Sequence, residues 1–145
     1  MPTRPGMLVG EWRVHRKICD YRARSTIAFV GHATIIESAF LEHGQLHPGG
    51  RALDCRRAYT LMMGDSDVLV FFPDGAEFVR LAFKPIQAVV HLCGDDVYCG
   101  QFLIRSPHDW AEIRSVTGPR KRYRSVTHYR REPLSPHGRI MSAGI

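Results

Sequence analysis

The segment EWRVHRKICD, residues 11–20, decides the fold because its side chains alternate in character with a period of two. Residues two apart in a β-strand project to the same face. One face of this segment carries Trp12, Val14, Arg16, Ile18 and Asp20. The opposite face is almost entirely polar, so we expect the tryptophan face to line a protein interior. Arg16 would then be a buried cation, which is costly without a partner, and Asp20 on the same face is one candidate.

The rest of the chain consists of similar short segments, rich in β-branched and aromatic residues and separated by turn formers. Connections this short leave no room for the helices of parallel β-α-β units. Closure of a sheet of about eight to ten strands also removes its exposed edges. The sequence therefore predicts an all-β, antiparallel, up-and-down barrel. Its expected strands are Glu11–Asp20, Thr26–Glu37, Ala39–Leu46, Leu53–Met63, Val68–Phe72, Glu77–Phe83, Ile86–Cys93, Val97–Ile104, Ala111–Thr117 and Arg122–Arg130.

The last predicted strand gives the expected interior a polar character. Alternation points a set of uncharged polar side chains inward, namely Tyr123, Ser125, Thr127 and Tyr129. Lys121 and Arg131 would lie near the two rims, while His128 and the arginines of the other set point outward. An outward His128 disfavours haem binding, and we expect no cofactor.

The segment from His91 to Tyr98 predicts a tight hairpin with Gly94 and Asp95 in a two-residue turn. Cys93 then pairs with Asp96, and His91 lies opposite Tyr98, where the two side chains would form a polar pair. The pattern leaves open which face of this hairpin points inward. His91 and Cys93 share one face, but zinc needs further ligands, so we expect no metal site.

The length of 145 residues fits one domain, which we expect to be a barrel over residues 1–131 with a loosely ordered tail over residues 132–145. No apolar run is long enough for a membrane helix, and the first residues lack the apolar run of a secretion signal. These features predict a cytoplasmic protein without membrane contact. The four cysteines show no metal-type spacing and are expected to be free thiols.

The formal charge is +6, and the segment from Pro119 to Arg131 holds six arginines and lysines without one acid. Such a run is more often a solvated strand face than a binding site. No nucleic-acid-binding motif accompanies it, and its tyrosines and cations lie mostly on opposite faces. We therefore do not expect nucleic-acid binding, although a scaffold or nucleic-acid-contacting role of the basic last strand is kept as an alternative.

Several segments resemble a bacterial and fungal family of about 140 residues whose function is unknown. They are GEW at residues 10–12, RKICD at 16–20, HLCGDDVY at 91–98, GPRKRY at 118–123 and THYRR at 127–131. The Gly10-x-Trp12 pattern also resembles the start of lipocalins and other calycin barrels. That resemblance implies that Trp12 closes one barrel end, with Arg130 or Arg131 lying across it. The absence of a secretion signal and of an evident disulfide disfavours extracellular transport.

The favoured hypothesis is a pocket for a small ligand inside the barrel, with an anionic molecule as one candidate. Arginine supplies a forked donor for carboxylate or phosphate, and tyrosine an apolar body with a polar tip. The expected ligand-binding residues are Arg16, His91, Tyr98, Tyr123, Thr127, Tyr129 and Arg131. An alternative is an enzyme that uses His91 and Tyr98 as an acid-base pair. The ligand, any reaction and a homodimer formed through strand edges are left open.

Overall fold

The computed structural model describes residues 4–133 and contains ten β-strands after one short 3-10 helix, Pro5–Leu8. All ten predicted strands are present, and their ends differ from the expected ones by at most two residues. The predictions for residues 134–145 lie outside the described residues. The strands are β1 Gly10–Asp20, β2 Ser25–Ile36, β3 Ala39–His47, β4 Leu53–Met63, β5 Val68–Phe71, β6 Glu77–Leu81, β7 Ile86–Cys93, β8 Asp96–Ser106, β9 Asp109–Thr117 and β10 Arg122–Arg131.

The strands form one antiparallel sheet in which each strand pairs with its neighbour in sequence, except β6 with β7, and β1 pairs with β10. The order β6-β5-β4-β3-β2-β1-β10-β9-β8-β7 is that of an up-and-down barrel, as predicted. Within residues 4–133, β6 and β7 share no ladder, and this seam is bridged by Gln87. Its side-chain nitrogen donates to the carbonyl of Arg80 at 3.4 Å, and its oxygen accepts from the amide of Phe83 at 3.2 Å. The barrel is therefore nearly closed.

Trp12 occupies one end of the barrel, beneath the 3-10 helix. Its indole nitrogen donates to the carbonyl of Leu8 at 2.8 Å, and its ring meets Trp110 edge-on at 6.1 Å. The Arg131 guanidinium lies over the Trp12 ring, with Cζ 4.2 Å from the ring centroid. It also donates to the carbonyls of Met7 and Val9, both at 2.7 Å. These contacts fix the chain before β1 across the barrel end.

The predicted alternation of β1 and β10 is confirmed by burial. Trp12, Val14 and Thr127 are fully buried and Tyr129 is nearly so, whereas His15, His128 and Arg130 are exposed. The hairpin register is also confirmed, with Cys93 opposite Asp96 and His91 opposite Tyr98. The inward face of this hairpin is the one carrying Tyr98, because Val90 and Leu92 are exposed.

Two glycines draw β2 and β3 together on the inner side. Gly31 lies opposite Gly44, and a Cβ on either would collide with the backbone of the other strand. The ring of Phe29 packs against Gly44, with its Cζ 2.7 Å from where a Cβ would be. Because the two glycines carry no side chains, the Phe29 ring fits inside the barrel. The ring centroid lies 4.8 Å from Cζ of Arg16.

No helix among the described residues is both long and apolar enough to cross a membrane.

Replacement of Trp12 by alanine tests the closed end. We expect the free energy of unfolding, measured by urea denaturation with circular dichroism, to fall by about 3–5 kcal/mol, because the buried indole and its contacts are lost. Trp12→Phe should cost less. Met62→Ala, at a side chain that is 61% exposed, should change stability by less than about 0.5 kcal/mol. Equal losses in the free energy of unfolding for Trp12→Ala and Met62→Ala would contradict the role of Trp12 in closing the barrel end.

Candidate functional site

Five charged side chains from four strands meet inside the barrel. They are Arg16 on β1, Glu42 on β3, Arg57 on β4, and Glu112 and Arg114 on β9. We call this group the lumen cluster. Three guanidinium groups against two carboxylates leave it with one excess positive charge.

The Arg16–Glu42 pair is bidentate. Nη1 and Nη2 of Arg16 donate to the two carboxylate oxygens of Glu42 at 2.8 Å each, and its Nε donates to Oγ1 of Thr127 at 2.8 Å. The expected pairing of Arg16 with Asp20 is therefore wrong. Asp20 ends β1, and its Oδ1 accepts from the amides of Arg22 and Ala23, both at 3.0 Å. At the strand end, these turn amides are closer partners than a guanidinium deeper in the barrel.

Arg57 connects the two halves of the lumen cluster. Its Nε lies 2.9 Å from Oε1 of Glu42, and its Nη2 donates to the hydroxyl of Tyr129 at 2.9 Å. Nη2 is also 3.9 Å from Oε1 of Glu112, a longer ion-pair distance. The Tyr129 hydroxyl in turn donates to Glu42 at 3.3 Å. The Arg57 guanidinium is thus closer to Glu42 than to Glu112, although its Nε forms no hydrogen bond among the described residues.

Glu112 is the centre of the other half. Nη2 of Arg114 lies 3.0 Å from Oε2 of Glu112, and the Tyr98 hydroxyl donates to the same oxygen at 2.8 Å. The expected polar pair of His91 and Tyr98 is therefore wrong. The Phe78 ring packs against both side chains, with centroid distances of 4.7 Å to Tyr98 and 5.4 Å to His91. Cross-strand register brings His91 and Tyr98 opposite each other, but the tyrosine hydroxyl bonds to the buried carboxylate.

Both carboxylates remain ionised despite their burial. Burial alone raises the pKa of a carboxyl, but the Arg16 hydrogen bond and the charges of Arg57 and Arg16 outweigh it and lower the pKa of Glu42. The charges of Arg114 and Arg57 likewise outweigh burial and lower the pKa of Glu112.

The two tyrosines stay protonated. Burial raises the pKa of Tyr129 to about 12. Burial and the neighbouring Glu112 carboxylate raise the pKa of Tyr98 well above its usual value. Both hydroxyls are therefore donors at neutral pH, and the net charge of the lumen cluster is set by its arginines and glutamates alone.

A cavity of about 90 Å³ lies beside the lumen cluster. Most of its walls are aliphatic or aromatic, including Leu61, Val70 and Phe102. Its polar side is formed by side chains of the cluster and their hydroxyl partner, namely Arg57, Glu112, Arg114 and Tyr129. The exposed Lys84, next to the β6–β7 seam, also lines it. The cavity therefore combines an apolar body with one charged wall.

The predicted ligand-binding residues are distributed unevenly around this cavity. Tyr129 lines it, and Tyr98, Arg16 and Thr127 belong to the hydrogen-bond network behind its charged wall. Tyr123, His91 and Arg131 are not among its lining residues. Tyr123 packs against a second apolar group that includes Val116, His91 contacts Phe72 and Phe78, and Arg131 covers Trp12.

The sequence analysis missed Glu42, Arg57, Glu112 and Arg114. Alternation offered a usable indication for all four. Glu42 is in phase with the buried Phe40, and Glu112 and Arg114 are in phase with the buried Trp110 and Val116. Arg57 is in phase with Tyr59 and Leu61, which pack against the core. A charged residue in phase with apolar inward residues predicts a buried ion pair, as Arg16 did for β1.

A model of a protein family of unknown function, DUF6314, matches residues 8–131. The chain belongs to this family. The match spans all ten strands and every residue of the lumen cluster. No curated protein matches the sequence.

Two solved structures are similar in fold. One is an S-type phycobiliprotein lyase, CPES, from Guillardia theta, with a TM-score of 0.60 at 7% sequence identity, covering 90% of this chain and 91% of the lyase. The other is a protein of unknown function of the DUF3598 family from Nostoc punctiforme, with a TM-score of 0.59 at 13% identity, covering 90% of this chain and 50% of that protein. At these identities the similarity establishes the barrel architecture of this family member.

The lowered pKa values of Glu42 and Glu112 predict acid sensitivity. A carboxylate with a lowered pKa in the folded state stabilises above the pKa of an unfolded glutamate, about 4.3, and this stabilisation is lost as pH falls below it. We expect the free energy of unfolding, measured in urea between pH 7 and pH 3, to fall steeply below about pH 5. Glu112→Gln should flatten this dependence by up to about 1.4 kcal/mol per pH unit, or one proton.

The matched control is Glu37→Gln, at an exposed glutamate between β2 and β3. It should leave the pH dependence as it is in the unchanged protein. If the free energy of unfolding of the Glu112→Gln variant falls with pH as steeply as that of the unchanged protein, the ionised, ion-paired state of Glu112 is contradicted.

Proposed function

We propose that the barrel binds a small molecule with an apolar body and one acidic group, most simply a carboxylate, inside the cavity. The observation that carries the proposal is the excess positive charge of the lumen cluster at the wall of an otherwise apolar cavity. An apolar pocket with a few convergent polar groups is the usual form of a small-molecule site. A buried excess charge is costly unless an opposite charge joins it.

The acidic group fits between Arg57 and Arg114. Both guanidinium groups line the cavity and are partly exposed, by 22% and 15%, whereas Arg16 is 9% exposed and does not line it. Burial and repulsion from Arg114 each lower the pKa of Arg57, but the neighbouring Tyr129 and Glu42 outweigh them, so the net direction is upward. A ligand carboxylate between the two would offset that repulsion and accept charge-assisted hydrogen bonds from either.

The remaining polar groups position the arginines. Tyr129 holds Arg57 through its hydroxyl, and Tyr98 holds the Glu112 carboxylate that anchors Arg114. Of the residues predicted from the sequence, this proposal gives Tyr129 contact with the ligand. It gives Arg16, Thr127 and Tyr98 a supporting role.

The volume limits the size of the ligand. A cavity of about 150 Å³ on a comparable scale accommodates benzene, and this one measures about 90 Å³. A short aliphatic chain is therefore closest to the present volume, and a single ring or a larger ligand requires the walls to move. The seam between β6 and β7, which lacks a ladder within the described chain, is the natural place for such movement.

Binding of benzoate and hexanoate tests the proposal. Titration of isotope-labelled protein, followed by amide chemical shifts, should show saturable binding with shifts in β4 and β9. The uncharged analogues benzamide and hexanol should bind at least about tenfold more weakly, because they cannot neutralise the excess charge. Equal binding of charged and uncharged analogues, or no saturable binding of any of the four, would contradict the proposal.

Arg114→Gln should reduce benzoate affinity by about tenfold or more, because it removes one of the two guanidinium donors and the excess charge. The matched control is Arg105→Gln, at an exposed arginine whose ion pair with Asp109 spans 4.0 Å on the outside of the barrel. Its affinity for benzoate should stay within about twofold of the unchanged protein. Parallel losses in the two variants would assign the binding to general charge attraction instead.

A further inference from the structure

The outer face of β1 and β10 carries basic side chains directly opposite one another. Register pairs Arg13 with Arg130 and His15 with His128. Like charges at opposite positions of an antiparallel pair destabilise a sheet. Two guanidinium groups in this position are therefore an unfavourable arrangement for the fold alone.

Neighbouring strands do little to neutralise this pair of arginines. On the β2 side, Arg13 lies opposite His32, and on the β9 side Arg130 lies opposite Asp109. Asp109 forms its ion pair with Arg105, and the buried Glu132 lies 3.3 Å from His32. Among residues 4–133, no carboxylate oxygen is found within 4.0 Å of either guanidinium group.

The four side chains also enclose a space. Arg13, His15, His128 and Arg130 line an open depression of about 320 Å³ on the barrel wall. Arg13 is half-buried there, and its Nε is buried without a hydrogen-bond partner among the described residues. Strand spacing places these side chains at the corners of a patch of about 5 by 7 Å, the size of one tetrahedral oxyanion.

From this geometry we propose a second site on the outside of the barrel, in which Arg13 and Arg130 bind the phosphate group of a small phosphorylated molecule and His15 and His128 complete the rim. Two guanidinium forks on adjacent strands supply more donors than one planar carboxylate accepts, and they match the several terminal oxygens of a phosphate monoester. The bound dianion would remove the repulsion between the two arginines. The inner site lies between β4 and β9 and the outer site on β1 and β10, and the two favour different anions.

The absence of phenylalanine, tyrosine and tryptophan from these four positions favours a small phosphate compound over a nucleic acid. Single-stranded nucleic acids are held by base stacking on aromatic side chains in addition to charge. Here the lining consists of arginines and histidines alone.

Titration with inorganic phosphate and with methyl phosphate at constant ionic strength tests the second site. We expect saturable chemical-shift changes at the amides of Arg13, His15, His128 and Arg130, and at most a tenth of that affinity for acetate. The double variant R13Q/R130Q should lose at least about tenfold in affinity for methyl phosphate. Arg51→Gln, at an exposed arginine between β3 and β4, is the matched control and should bind as the unchanged protein does.

Stability provides a second measurement. Without phosphate, the R130Q variant should be at least as stable as the unchanged protein, because the cross-strand repulsion is relieved. Phosphate should raise the melting temperature of the unchanged protein and not that of R13Q/R130Q.

Equal shifts with acetate and phosphate, or equal losses in R13Q/R130Q and R51Q, would overturn the proposal in favour of general charge attraction. A single-stranded oligonucleotide is also compared with methyl phosphate in the same titration. Tighter binding per phosphate group by the oligonucleotide, weakened as much by R56Q on β4 as by R13Q/R130Q, would overturn the proposal in favour of an extended polyanion surface. Benzoate binding in the cavity is unaffected by either result, so this proposal and the one for the cavity fail separately.

Discussion

The carboxylate of Glu42 pairs with two buried guanidinium groups, and the interior of the barrel is arranged around that interaction. It accepts a bidentate pair of hydrogen bonds from Arg16, and Nε of Arg57 lies 2.9 Å away. Removing one partner of a buried ion pair costs about 3–5 kcal/mol, because the remaining charge is left uncompensated. Replacing a whole buried pair by apolar residues is often neutral or stabilising. Stability therefore gives little reason to keep five charges inside a small barrel, and binding of the proposed acidic ligand would supply one.

The fold separates a packed end from an open region. At the packed end, Trp110 stacks on Tyr129 with centroids 3.8 Å apart and meets Trp12 edge-on. Tyr129 extends from this stack to the lumen cluster, so one side chain connects the closed end to the charged wall. Towards the β6–β7 seam the packing loosens into the cavity. Alternation along β1 and β10 also places the cationic outer depression directly behind the residues of the packed end.

Alternation and turn chemistry were sufficient to predict the strands, their antiparallel order and the inward faces of β1 and β10. They were not sufficient to pair the charges. Arg16 and Glu42 lie on β1 and β3, which are not adjacent, so their contact spans β2, where Gly31 carries no side chain. Asp20 shares a face with Arg16 but sits at a strand end, where turn amides compete for its carboxylate. Partners across a barrel interior follow from closure of the whole sheet rather than from any one segment.

The most direct test of the acidic-ligand site is a crystal structure of the protein grown with benzoate. The account predicts electron density for the ring in the cavity, with the carboxylate oxygens about 3 Å from guanidinium nitrogens of Arg57 or Arg114. A cavity filled by neighbouring side chains would contradict it. A ring bound with its carboxylate directed away from both arginines would contradict it equally.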